Sequence, residues 1–190
     1  MNKRAVYGVA AALLGAASTG LAKAETGYQA TFTTSITYQN VGASAATIAI
    51  VYYTDTGTQI TYTPPQLAAG AGSSIFAGNV SGLSAGFSGS AVLSSDQPIV
   101  ATLVQVSTGS GTAVKNRPLS NGFSSGDARV LIPTTLKERF SQTTRFSVQN
   151  ASSGNADITV KFFNADAGGA LAHTINLVNV PAGSARYVDL

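Results

Sequence analysis

The sequence predicts an all-β protein made of two tandem, antiparallel β-sandwich units of immunoglobulin-like type, the second of them incomplete. Three observations predict this. Short runs of β-branched and aromatic residues alternate with small or polar residues through most of the chain. Clusters of Gly, Pro, Asn and Asp separate these runs. The string YQNVGASAATIAIVYY at residues 38–53 is matched 110 positions later by VQNASSGNADITVKFF at residues 148–163.

The first residues of the 190-residue chain are typical of an export signal. Lys3 and Arg4 precede an apolar run that is too short for a stable membrane span, and Ala22-Lys23-Ala24 has the pattern of a cleavage site. We therefore expect residues 1–24 to be a signal peptide. The mature chain is then secreted or held at the cell surface, with no membrane span after cleavage. An uncleaved membrane anchor is the alternative.

The net charge of the chain comes from this leader. The whole chain has 11 Lys and Arg against 8 Asp and Glu, and Lys3, Arg4 and Lys23 lie in the leader, so 8 basic residues face 8 acidic ones after cleavage. A neutral chain has no electrostatic footprint for nucleic acid, and its weak charge repulsion permits self-association. Because there is no cysteine, stability must come from packing and sheet hydrogen bonds.

The first sandwich unit is expected at residues 25–107. Ile48, Ile50 and Tyr52 should face its core, because the matched strand of the second copy carries Lys161 on the opposite face. A Gly/Ser-rich linker is expected at residues 108–128. The strands of the first unit are expected at residues 30–40, 45–54, 58–63, 72–77, 87–94 and 98–107.

The second unit is expected at residues 129–190, with a strand beginning at Arg129. Its Pro181-Ala182-Gly183 matches Ala68-Ala69-Gly70 of the first unit, but nothing after it matches residues 86–106, which hold the last two strands. Three explanations remain open. Another subunit supplies the missing strands, the strand near Val130 and the N-terminal strand close the fold within one chain, or the chain is a truncated product.

Unpaired strand edges are sites at which another chain can pair. Two segments are candidate donors of a complementing strand, the mature N-terminal segment Glu25–Thr34 and the segment Val130–Ile132. The expected partners are copies of the same chain, in a homopolymer that extends because head-to-tail contacts of this kind do not close. The candidate assembly residues are Tyr28, Ala30, Phe32, Val130, Leu131 and Ile132.

Three segments carry a resemblance to a known group of proteins. GFSGSAVLSSDQPIVA (86–101), NGFSSG (121–126) and TTRFSVQNASSGNADITVKFF (143–163) resemble secreted bacterial tandem-repeat β-sandwich surface proteins, which have Gly-Phe-Ser before one strand and Gln-Asn at the end of another. The resemblance covers most of residues 30–190 and implies an extracellular, non-enzymatic role. The architecture is also similar, in mechanism rather than in motif, to strand-complemented fibre and pilus subunits.

The sequence offers little catalytic or metal chemistry. Residues 122–126 fit the pattern G-x-S-x-G, and Asp157 or Asp166 and then His173 follow in triad order, but this motif needs a strand before Ser124 and a helix after it. One histidine and no cysteine exclude the usual zinc sites. Aspartates in turns are explained by turn chemistry, and no Asp-x-Asp spacing suggests calcium. We expect no enzyme, metal or cofactor.

Aromatic residues support a second hypothesis. Tyr53, Tyr62 and Phe163 are expected on outer faces, where they could bind extracellular carbohydrate. The protein would then be a monomeric binding module for carbohydrate or a surface partner. Packing against a neighbouring unit or subunit is the alternative, and the match of Phe163 to Tyr53 in both copies favours it.

Overall fold

The chain is almost entirely β. In the described residues there is no α-helix, a single 3-10 turn lies at Ala77–Asn79, and no helix is long and apolar enough to cross a membrane. The all-β prediction is confirmed. The computed structural model describes residues 6–7, 31–108, 119–140, 143–166 and 168–190.

Eight strands form two four-stranded antiparallel sheets, in the orders β1-β6-β3-β4 and β5-β2-β7-β8. We call them the N-terminal sandwich. Strands β2 to β7 begin and end within three residues of their predicted bounds. The strands are β1 (Val6–Tyr7), β2 (Thr31–Asn40), β3 (Ile48–Thr54), β4 (Gln59–Tyr62), β5 (Gly72–Phe76), β6 (Gly89–Ser95), β7 (Ile99–Thr108) and β8 (Leu119–Asn121).

The core of the N-terminal sandwich lies between its two sheets. Alternate residues of β3 are fully buried, as the period of two predicts, and their neighbours are half-buried. Tyr52 packs edge-on against the ring of Phe87, with 6.3 Å between the ring centroids. The main core residues are Ile36, Tyr38, Ile48, Ile50, Tyr52, Ile75, Leu93, Ile99 and Leu103.

Four further strands form two separate two-stranded antiparallel sheets, β10-β11 and β12-β9. We call them the C-terminal strands. Three of their apolar side chains, Val180, Ala185 and Val188, are buried. The strands are β9 (Arg145–Gln149), β10 (Ala156–Phe163), β11 (Leu171–Val180) and β12 (Ala185–Asp189).

One predicted segment differs from the structure, and another lies largely outside the described residues. The prediction of a strand beginning at Arg129 is wrong, because residues 129–132 belong to no strand. High β-propensity creates a strand only where an edge is available to pair with, and no described strand pairs with this segment. Of the predicted leader, only Val6–Tyr7 lies within the described residues, where it pairs with β6.

The turn between β11 and β12 packs against the N-terminal sandwich. Ser90 Oγ donates a hydrogen bond to the Gly183 carbonyl oxygen at 2.6 Å, and Ser184 Oγ donates one to the Thr54 carbonyl oxygen at 2.8 Å. Both serines are fully buried. A Cβ built at Gly183 would lie 2.5 Å from the Tyr53 ring. Only glycine therefore allows this approach.

Tyr187 is half-buried with a fully buried hydroxyl, and its ring lies beneath the Arg145 guanidinium, which is 4.6 Å from the ring centroid. Burial raises the pKa of Tyr187 to about 12, with Asp189 adding to the rise and with Ser88 and the Arg145 charge opposing it. Although Ser88 faces the hydroxyl, that hydroxyl makes no well-formed hydrogen bond. The neutral phenol is thus the form that the fold favours.

The substitution Tyr187→Phe is expected to flatten the alkaline loss of stability. The folded pKa is raised, so the contribution of Tyr187 is fully present below its unfolded pKa of about 10 and is lost as the pH rises to about 12. Urea unfolding of both proteins between pH 8 and pH 12 measures this. At pH 8 the variant should equal or exceed the original protein, because it loses no hydrogen bond. Equal slopes above pH 10 would contradict the assignment.

Candidate assembly site

The C-terminal strands repeat the pairing of four strands of the N-terminal sandwich. β9 pairs with β12 as β2 pairs with β5, and β10 pairs with β11 as β3 pairs with β4. The residues that face each other correspond as well. The matching opposite pairs are Ile36–Ile75 with Phe146–Val188, and Tyr52–Ile60 with Phe162–His173.

In the N-terminal sandwich, the buried side chain of Asn40 joins the end of β2 to two loops. Its Nδ2 donates to the carbonyl oxygens of Ser44, Leu67 and Ala68 at 2.8, 3.0 and 3.2 Å. Its Oδ1 accepts from the amide of Gly42 at 2.9 Å. One side chain thus satisfies backbone groups of the β2–β3 and β4–β5 connections, which would otherwise be costly to bury.

Asn150 makes the same connection among the C-terminal strands. Its Nδ2 donates to the carbonyl oxygens of Gly154 and Val180 at 2.7 and 2.9 Å. Its Oδ1 accepts from the amide of Ser152 at 3.0 Å. The side chain is almost fully buried, with 4% of its surface exposed. The Asn150 amide therefore holds the β10-β11 sheet to the β12-β9 sheet.

The glutamine before each asparagine has a matching role. Gln39 Nε2 donates to the Gly70 carbonyl oxygen at 3.1 Å, and Gln149 Nε2 donates to the Gly183 carbonyl oxygen at 2.8 Å. The repeated Gln-Asn pair was visible in the sequence as a motif without a role. Its role is structural, because both side chains bind backbone groups of the turn that precedes the partner strand.

The two sets of strands differ at their edges. In the N-terminal sandwich, β7 pairs along the whole of β2 and β6 pairs along the whole of β3. Among the described residues, the corresponding edges of β9 and β10 have no partner strand. The backbone groups along these edges are available to pair with another strand.

The missing strands also leave apolar side chains partly uncovered. In β3, Ile48, Ile50 and Tyr52 are completely buried. Their counterparts in β10 are only half-buried, namely Ile158, Val160 and Phe162. Completing the burial of one such half-buried apolar side chain is favourable by up to about 1 kcal/mol. We call these three residues, with Phe146 and Val148 of β9, the open face.

Aromatic contacts link the strands of the open face. The ring centroids of Phe146 and Phe162 are 6.4 Å apart, and the His173 ring stacks on Phe162 at 6.3 Å. His173 takes the position that Ile60 has in the N-terminal sandwich. The histidine is therefore part of an apolar surface.

The candidate assembly residues fall into three groups. Tyr28 and Ala30 lie outside the described residues. Phe32 belongs to β2 and is opposite Ser107 of β7, so the last part of the segment 25–34 is paired within its own chain. The last group lies in an irregular segment and is exposed, with Val130 and Leu131 at 75% and Ile132 at 47%.

The aromatic residues do not share one surface. Tyr62 packs against the core of the N-terminal sandwich, so its predicted outer position is wrong. Tyr53 is half-buried against Gly183, in the packing role that the sequence offered as the alternative. Phe163 is 60% exposed on the outer side of β10. With two of the three half-buried, these residues provide no common exposed platform for a sugar.

The polar candidates have local partners. Asp96 Oδ1 accepts from the Thr47 amide and Asp157 Oδ1 from the Asn179 amide, each at 2.7 Å. No group of three or more His, Cys, Asp or Glu that could hold a metal occurs in the described part of the chain. No helix occurs in residues 125–140, which follow Ser124, so the nucleophile-elbow geometry is not formed there. No family model, curated protein or solved structure matches this chain.

Two matched core substitutions should have unequal effects. Ile50→Ala removes a fully buried side chain and should lower the free energy of unfolding by about 2–5 kcal/mol. Val160→Ala, at the corresponding half-buried position, should cost about 1 kcal/mol. Urea denaturation followed by circular dichroism compares them. Equal costs would mean that the open face is packed as tightly as the closed core.

The substitution Asn150→Ala should destabilise the C-terminal strands by about 1–3 kcal/mol, because the buried Val180 carbonyl group loses this donor, whereas the exposed Gly154 still accepts from the Ser152 hydroxyl. Asn155→Ala is the control, since that exposed amide donates to the side chain of Asn179, which is also exposed. It should change stability by at most about 0.5 kcal/mol. Hydrogen exchange of β10 and β12 amides measures both, and an equal loss of protection in both variants contradicts the prediction.

Proposed function

We propose that this protein is an exported structural subunit that assembles at the cell surface, into a filament, by β-strand complementation between chains. The C-terminal strands act as the acceptor. In this proposal they are a second immunoglobulin-like unit, with counterparts of β2, β3, β4 and β5 but none of β6 and β7 among the described residues. The single observation that carries the proposal is the open face, where the counterparts of fully buried residues are only half-buried, beside two edges that have no partner strand among the described residues.

Both energetic contributions favour pairing with another chain. A strand added along β9 or β10 forms main-chain hydrogen bonds, as in other cases of β-augmentation. Its inward side chains remove the open face from water. The mature chain would carry no net charge, with 8 basic and 8 acidic residues, so no long-range repulsion opposes the approach of identical subunits.

The donor in this proposal is an exposed segment of the next copy. Val130–Ile132 fits because its three apolar residues are exposed and belong to no strand. Residues 25–30 are the other donor, while residues 31–34 are already held in β2. A single strand of either kind would cover one edge. Head-to-tail donation of this kind continues from one chain to the next and does not close.

The expected secretion and surface location rest on the leader-like residues 1–24. The Gln-Asn side chains of both sets of strands hydrogen-bond to backbone groups of the turns. This supports a structural role without catalysis, metal or cofactor. No described observation favours the carbohydrate-binding alternative, because Tyr53 and Tyr62 are half-buried and pack within the molecule.

The assembly of residues 25–190 should depend on the inward side of β10. Val160→Asp places a carboxylate on the open face, where a bound strand would bury it, and should lower the assembled fraction at least about tenfold. Thr159→Asp is the control, since its side chain is exposed on the opposite face. Light scattering and negative-stain electron microscopy measure assembly. A stable monomer for the unsubstituted chain, or equal assembly of the two variants, would overturn the proposal.

A further inference from the structure

One segment of the N-terminal sandwich covers there the two edges that are unpaired among the C-terminal strands. Residues 89–108 form β6 and β7, which lie in different sheets and cross between them at Asp96–Pro98. We call this segment the arch. β6 covers the edge of β3 and β7 covers the edge of β2. The corresponding edges of β10 and β9 are those without a partner among the described residues.

The crossing of the arch is fixed to the connection between β2 and β3. The Thr47 amide donates to Asp96 Oδ1 at 2.7 Å, and the Asp96 amide donates to the Thr47 carbonyl oxygen at 3.3 Å. The Val41 amide donates to the Pro98 carbonyl oxygen at 2.9 Å. These contacts use backbone groups of the acceptor, so they depend on the shape of the connection rather than on its sequence.

The inward residues of the arch suit the open face. In β6, Leu93 is opposite Ile50, whose counterpart is Val160. In β7, Leu103 is opposite Ile36, whose counterpart is Phe146. Small Ala91 and Ala101 are opposite the large rings of Tyr52 and Tyr38. The counterparts of those two tyrosines are Phe162 and Val148, which are also apolar.

We propose that the open face takes up a complete arch from a different protein chain, which fills both edges at once. The partner is an extended segment of about 20 residues with the alternation of residues 89–108: small and Leu residues inward, an Asp-x-Pro crossing, then Ile, Ala and Leu inward. Within the described residues each copy holds one such arch, already paired in its own sandwich. The described residues therefore contain no unpaired arch that an identical copy could donate.

This inference rests on the proposed function in one respect, since both use the open face as the acceptor. The arch covers β9 and β10, whereas a single donated strand covers one of them. A partner bearing a free arch would therefore displace the donated strand and end the filament. Such a partner is a cap or an anchor for the assembly.

The test uses a synthetic peptide with the sequence of residues 89–108, fluorescently labelled, and the mature chain 25–190. Binding is measured by anisotropy, and hydrogen exchange locates it. We expect one peptide per chain, with new protection of β9 and β10 amides. Val160→Asp in the chain should weaken binding at least about a hundredfold, while Thr159→Asp should change it less than about threefold.

Two control peptides test the inward and outward sides. A peptide with Leu93→Asp and Leu103→Asp places carboxylates inward and should not bind. A peptide with Val92→Asp and Thr102→Asp carries the same charge on the outer side and should bind as the original does, because the side chains alternate with a period of two. Equal binding of the two charged peptides would overturn the inference.

The outcomes also separate this inference from the proposed function. If the chain assembles alone and the peptide neither binds nor limits assembly, the result supports strand donation between copies and contradicts the uptake of an arch. If the peptide binds in the expected way while the chain alone stays monomeric, the arch stands and self-assembly does not. Protection confined to β10 would mean that one strand is taken up, which contradicts the arch.

Discussion

The amide side chain of one buried asparagine holds together each set of strands in this protein. Asn40 and Asn150 lie at the ends of β2 and β9, where the chain leaves one sheet to begin the other. Each amide donates and accepts with backbone groups of two connections at once. Apolar residues of roughly the right size can replace one another in a core, but no apolar side chain satisfies these backbone groups.

This arrangement explains how β9–β12 keep their geometry with part of their core uncovered. Their positions are fixed by hydrogen bonds at one end of the strands and by the buried serines against the N-terminal sandwich. The open face contributes less to the stability of the folded chain than the closed core of the N-terminal sandwich does. An acceptor that is held in shape before binding loses less conformational entropy when a strand docks. The uncovered face is in this sense a preorganised surface.

Much of the fold could be predicted because it depends on local patterns. The period of two located β2 to β7 and identified the buried face of β3. The errors concern contacts that are distant in sequence. Tyr62 was placed outward because the loop before β4 sets which residues face inward, and that register is not apparent from composition.

The remaining errors have the same origin. The apolar triplet Val130–Ile132 has the composition of a strand, but pairing needs a neighbouring edge, which composition does not reveal. Tyr53 is covered by Gly183, a residue 130 positions away. The roles of Ser90 and Ser184 had no signal in the sequence, since serine is common throughout this chain and usually lies in turns. The Gln-Asn pair was found because it occurs twice.

The two matching turn glycines show how one repeated motif can acquire a second use. Gly70 and Gly183 have similar positive φ angles of 72° and 77°, and each amide donates to the carbonyl oxygen of its asparagine. Space is open around Gly70, whereas Gly183 is pressed against Tyr53. If the two copies arose by duplication, drift at the first position is limited only by backbone strain. At the second position, substitution is also limited by the contact with Tyr53, which sets how the C-terminal turn packs on the N-terminal sandwich. The second glycine therefore has far less evolutionary freedom than the first.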